Sequence, residues 1–174
     1  MKIANITRGL GLTLSLSLLS TLIWAQASPA ATATGKAGEA TITIKYSSPS
    51  VKGRQIYGTS LVPYGKVWRA GANSATVFET DKNITIEGKA LPAGKYSLYA
   101  IAGENEWIII FNSATGQWGI TRAGETTEDP AKDVIRVTVK PRKSANMNER
   151  LVYNIDSNGF VLSWENLDVP VSIK

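Results

Sequence analysis

"LVYNIDSNGFVLSW", residues 151–164, carries apolar and polar residues in alternation on both sides of a central Asp-Ser-Asn-Gly. An Asn-Gly pair between two such runs is the strongest short-range hairpin signal, because a type I′ turn needs positive φ at both central positions. Centring the turn on Asn158 and Gly159 sets Ser157 opposite Phe160, Ile155 opposite Leu162 and Tyr153 opposite Trp164. The last two pairs share a face and make one apolar patch. A register slipped by one would set Ile155 against Ser163 and is rejected. The expectation is an antiparallel hairpin with Tyr153 and Trp164 as buried neighbours.

The same period of two recurs outward from this hairpin. "ATITIKY", residues 40–46, puts Ile42, Ile44 and Tyr46 on one face and Thr41, Thr43 and Lys45 on the other. "ATVFET", "NITIEG", "KYSLYAI", "WIIIFN", "DVIRVTVK", "ERLVYNI", "FVLSW" and "VPVSIK" read as further strands, with "LPAG", residues 91–94, as a type I turn. Helical periodicity never lasts beyond two turns after residue 27. Many short strands with regular turn signals predict an all-β fold, a two-layer antiparallel β-sandwich, with a closed β-barrel as the second choice. In "WIIIFN", residues 107–112, both faces are apolar. This predicts a central strand whose outer face is covered by a long loop, with a partner as the second choice.

The chain opens with Lys2 and Arg8, an apolar stretch and Ala25-Gln26-Ala27, the pattern of a signal peptide over residues 1–27 cut after Ala27. Its apolar run is interrupted by Ser and Thr and is too short for a bilayer-spanning anchor. Export to the periplasm or beyond is expected, with no transmembrane anchor after cleavage. Residues 28–39, small and aperiodic, read as a flexible leader, and residues 40–174 as a single domain.

Cysteine and histidine are both absent. Thiol catalysis, Ser-His and Cys-His nucleophiles, and thiolate or imidazole metal sites are thereby excluded. No cofactor or metal is expected. The chain carries 19 basic and 14 acidic residues. Without Lys2 and Arg8 the excess is +3, too small to imply nucleic acid.

That excess is unevenly placed. Residues 40–78 hold no Asp or Glu, yet contain Lys45, Lys52, Arg54, Lys66 and Arg69 among Tyr46, Tyr57, Tyr64 and Trp68. "SSPSVKGRQIYG" and "VPYGKVWRAGAN" are rich in Gly, Pro and Ser and read as long loops, where binding groups tend to sit. Arg54, Tyr57, Lys66, Trp68, Arg69 and Asn73, with Trp118 of "TGQWG", form a candidate ligand-binding set. Guanidinium forks can grip an anion while a ring stacks on indole. The competing expectation is scaffold: arginines holding loop carbonyls, and aromatic rings filling the end of the sandwich.

"PSVKGRQIYG", "LVPYGKVWRAGAN", "LPAGKYSLYAI", the tryptophan and "FN" of "WIIIFN", "QWG" and "DVIRVTVKP" resemble, in order and spacing, the secreted bacterial proteins catalogued as domain of unknown function 2911. The resemblance spans residues 40–174 and implies an exported β-rich domain; it brings no catalytic residues with it. Ala70 stands where that family usually has Thr, and Ala102 where it usually has Pro.

Two functions of different class follow. One is a non-catalytic binding or envelope-associated module whose basic, aromatic-lined loops recognise an anionic or carbohydrate-like molecule or an envelope component. The alternative is a carboxylate-dependent hydrolase acting on glycans, with Glu79, Glu87, Glu104 and Glu106 as candidates for a facing pair.

Overall fold

A computed structural model describes residues 28–174. The signal-peptide expectation, residues 1–27, lies outside them. Eleven strands carry the described chain: β1 (Ala30–Ala37), β2 (Ala40–Ser47), β3 (Val67–Trp68), β4 (Thr76–Thr80), β5 (Ile84–Ile86), β6 (Lys89–Leu91), β7 (Gly94–Ile101), β8 (Trp107–Asn112), β9 (Asp133–Val139), β10 (Arg142–Asp156) and β11 (Gly159–Ser172). The one helical element among the described residues is a 3-10 turn, Pro130–Lys132, so none is long and apolar enough to cross a membrane.

The first sheet has the order β1-β2-β4-β7-β8-β9, with β3 also on β7. The second layer is built from the β10-β11 ribbon and the β5-β6 hairpin. They join where Ile86 bridges Ile173, flanked by two backbone bonds between Thr85 and Lys174 (2.7 and 2.9 Å). The sheets are antiparallel and do not close into a barrel. Between them lies one core in which Ile42, Ile44, Phe78, Leu98, Phe111, Leu151 and Trp164 are buried. The alternation in β2 therefore sorts faces as the sequence implies, with Ile42 and Ile44 fully inside.

Two expectations need correction. Residues 28–39 are no loose leader: Ala30–Ala37 pair along their whole length with β2, from Ala30 opposite Ser47 to Ala37 opposite Ala40. Small side chains suit this position because β10 presses against the strand. A Cβ on Gly35 would meet Ile155 Cγ2 at 2.8 Å.

The hairpin register also differs. Ile155 faces Phe160 and Tyr153 faces Leu162, so the turn is Ser157-Asn158 and Asp156 pairs with Gly159. The Asp156 carboxylate accepts the Asn158 N–H (2.7 Å), which holds the turn without positive φ at either central residue. Gly159 serves another purpose. A Cβ there would stand 2.0 Å from the Val171 carbonyl, because the end of β11 returns to the turn that starts it and Ile173 N–H donates to Asn158 O (2.8 Å). "FVLSW" and "VPVSIK" are thus two halves of one bent strand, with Glu165 at φ 54° and register breaks in β10 opposite.

β8 runs between β7 and β9; the loop after it reaches that side of the sheet, where Gln117 O accepts the Ala75 N–H (3.2 Å) and Ile110 is fully buried. Tyr99, Ile110 and Ala75 are buried there as a small second cluster. Beside it the loop's Glu128 meets Arg136 of β9 at 2.9 Å.

Candidate functional site

"LVPYGKVWRAGAN" is an interruption in a strand. Trp68 pairs with Ala100 of β7, and the same edge resumes with Thr76 opposite Leu98. Residues 69–75 are therefore an excursion standing opposite the single residue Tyr99, a large bulge of the kind that re-aims side chains. Ala70 and Asn73 sit inside it in the left-handed region, at φ 52° and 57°. Gly71 is required because a Cβ would come within 2.8 Å of Thr76 Oγ1 and 3.2 Å of Ser47 O.

The excursion is tied down from both sides. Ala70 O accepts from Thr76 Oγ1 (3.0 Å) and from the phenol of Tyr153 (2.7 Å). Asn73 Nδ2 donates to Ser28 O (3.0 Å) and Ser47 Oγ (3.2 Å). Arg69 donates to the carbonyls of Asn73 and of Trp118. Its guanidinium lies 5.8 Å from the centre of the Trp118 ring, and burial lowers its pKa.

The bulge and the loop of residues 48–66 enclose a cleft of about 250 Å³ whose walls include Leu61, Pro63, Trp68, Arg69, Ile120 and Trp164. Trp68 and Trp164 lie with ring planes 13° apart and centroids 6.1 Å apart, and Trp107 meets Trp68 edge-on at 6.3 Å. Among the described residues the Trp164 indole N–H has no hydrogen-bond partner, although the residue is 2% exposed. Trp118, by contrast, is 56% exposed. Among the described residues, no carboxylate lines this cleft.

The candidate residues are divided by these contacts. Trp68 and Arg69 line the cleft, and Trp118 stacks on Arg69 beside it. Arg54 is not in the lining. It curls onto its own loop, with Nε on Val51 O (3.0 Å) and Nη2 on Ser50 O (2.6 Å). Tyr57 is an anchor whose phenol donates to Trp164 O (3.0 Å) and is pushed well above its usual pKa, chiefly by burial. Lys66 is exposed, and the Asn73 amide is committed to Ser28 and Ser47. Leu61 comes from the same stretch as Trp68, whereas Trp164 and Ile120 belong to the cleft although nothing in the sequence marked them as site residues; they arrive from two distant segments.

None of the proposed acids lines this cleft. Glu79 meets Lys95 (3.3 Å), Glu87 accepts the Ser172 N–H (2.6 Å), and Glu104 and Glu106 are exposed before β8.

The fold and cleft define an all-β domain with an aromatic, one-arginine pocket at an interrupted strand. The chain belongs to the family described as protein of unknown function, DUF2911, whose model matches residues 28–173. No curated protein and no solved structure matches it.

Proposed function

We propose that this protein is an exported, non-catalytic binding module that holds a ring-bearing, anionic or carbohydrate-like molecule in the cleft beside Trp118. The observation that carries this reading is the Arg69–Trp118 stack at the edge of a cleft lined by Trp68 and Trp164. A large indole left 56% exposed on a guanidinium that is itself held by two carbonyls is a rigid platform for a ring. Arg69 supplies the positive charge for a carboxylate or sulfate on that ring. The acid-free walls favour an anion and leave a glycan-cleaving carboxylate pair without support.

The test is a thermal-shift and tryptophan-fluorescence titration with uronic-acid oligosaccharides and simple aromatic carboxylates. A ligand that binds only the folded state raises the midpoint. Trp118→Ala is expected to remove the shift while leaving the ligand-free midpoint unchanged. A shift that survives Trp118→Ala, or absence of any shift across the panel, would overturn the reading. Export is tested separately by N-terminal sequencing of protein recovered from the periplasmic and culture fractions, where Ser28 is the expected first residue.

A further inference from the structure

The sandwich is open along a second seam that shares no lining residue with the cleft. β9 is the last strand of the first sheet, and among the described residues no backbone bond outside the β8 ladder reaches Thr138, Val139 or Lys140. Facing them across a groove of about 660 Å³ are Gly159, Phe160 and Val161 at the start of β11. Val139, Phe160 and Val171 line the groove, so the hydrophobic core forms part of its wall.

Charge in the groove is also unevenly committed. Glu87 and Asp156 each spend an oxygen on a backbone N–H, of Ser172 (2.6 Å) and Asn158 (2.7 Å). Lys140 has no ion pair among the described residues, and Arg142 reaches Asp168 only at 3.8 Å with its side chain 64% exposed. Lys143 follows directly, so Lys140-Pro141-Arg142-Lys143 is a basic turn at the end of the open edge.

We propose that this seam accepts a short extended peptide as an added strand on β9, with an acidic side chain of the peptide beside Lys140 and Arg142. Unpaired ladder groups supply affinity to any extended backbone, and alternate side chains entering the groove supply selectivity. The usable edge is short. Lys89 Nζ already holds Arg136 O (2.7 Å) at one end, and Pro141 stops the strand at the other. A lysine on an edge normally discourages pairing with an apolar strand. Here it gives preference to a strand bearing Asp or Glu, whose carboxylate can meet it.

The experiment uses the purified protein and a capped pentapeptide alternating glutamate with valine and threonine, titrated by heteronuclear NMR. The expected result is saturable binding with amide shifts at Thr138, Val139 and Lys140 and at Gly159 to Val161. N-methylation of alternate peptide bonds, which removes ladder donors without touching the protein, should weaken binding by about tenfold or more, the scale of one or two lost hydrogen bonds. Lys140→Glu with Arg142→Glu, both at solvent-accessible positions, should weaken the glutamate peptide about tenfold and favour a lysine-bearing analogue. Absence of binding at about 1 mM peptide, the weak limit for a useful contact, would sink the proposal. So would indifference to N-methylation, shifts confined to the Trp68 cleft, or self-association of the protein through this edge in place of peptide binding.

Discussion

The phenol of Tyr153 in the second layer donates a 2.7 Å hydrogen bond to the carbonyl of Ala70, inside the bulge of the first. Ala70 is held at φ 52°, and its carbonyl also receives Thr76 Oγ1. The corner that shapes the cleft is therefore pinned by the opposite sheet. Tyr153→Phe removes the longer-range bond while keeping the ring, and is expected to lower stability by about 1 kcal/mol. Urea denaturation checks it; an unchanged midpoint would show that Thr76 alone holds the corner.

Trp164 combines a stacked contact with Trp68 and an edge contact with Tyr57 at 6.4 Å. Trp164→Ala is expected to cost about 3–5 kcal/mol, the range for a large aromatic removed from a packed core. Trp68→Ala, at 8% exposure, should fall in the same range. The two losses should not add, because each truncation already removes the shared contact. Chemical denaturation of both single variants and the double variant measures this.

The two arginines should separate. Arg54 closes its own exposed loop, so Arg54→Ala should cost about 1 kcal/mol and leave ligand titrations unaltered. Arg69→Ala should both destabilise the bulge, by about 1–2 kcal/mol, and weaken an anionic ligand in the cleft. Paired melting and titration of the two variants distinguishes an anchor from an anchor that also binds.

Gly159→Ala would place a methyl group 2.0 Å from Val171 O and 3.0 Å from Ile173 N. Backbone cannot yield as a side-chain tip can, so the end of β11 must separate from the turn. Loss of amide protection at Ile173 and Lys174 in hydrogen exchange is expected, with a large fall in melting temperature. Gly88→Ala, which meets nothing within 4 Å but holds φ 82°, should cost less.

Stability should fall on the alkaline side. Burial raises the phenol pKa of Tyr57, Tyr99 and Tyr153 above the ordinary value of 10.0. Above about pH 10 the unfolded chain releases these protons while the folded chain keeps them. Stability is thus fully present below pH 10 and is lost as pH rises past it. Tyr57→Phe should make that decline shallower, which denaturation at a series of alkaline pH values would show.

Much of the fold was legible because side-chain alternation is a local property. Ile42 and Ile44 fall inside as their spacing requires, and the doubly apolar "WIIIFN" is central, with the loop after it reaching its outer side. The hairpin was legible in kind but not in register. Asn158-Gly159 looks like a turn centre, yet the glycine answers to Val171, a contact twelve residues away. Residues 30–37 looked loose because Ala, Thr and Gly have little burial to offer; what recruits them is the edge of β2 and the close approach of Ile155.

By itself the sequence determined the all-β class, the buried faces and the absence of thiol and imidazole chemistry, since these depend on residue type and a period of two. It also marked the acid-free loops as the unusual region. Only the tertiary structure decided which of their cations is available. Arg54 and Arg69 are alike in sequence, but one folds onto its own loop, while the other is carried by a seven-residue bulge to Trp118 and a cleft shared with Trp164. Such a site is assembled across strands that pair through backbone groups common to every residue. Local pattern therefore cannot specify which side chains will meet.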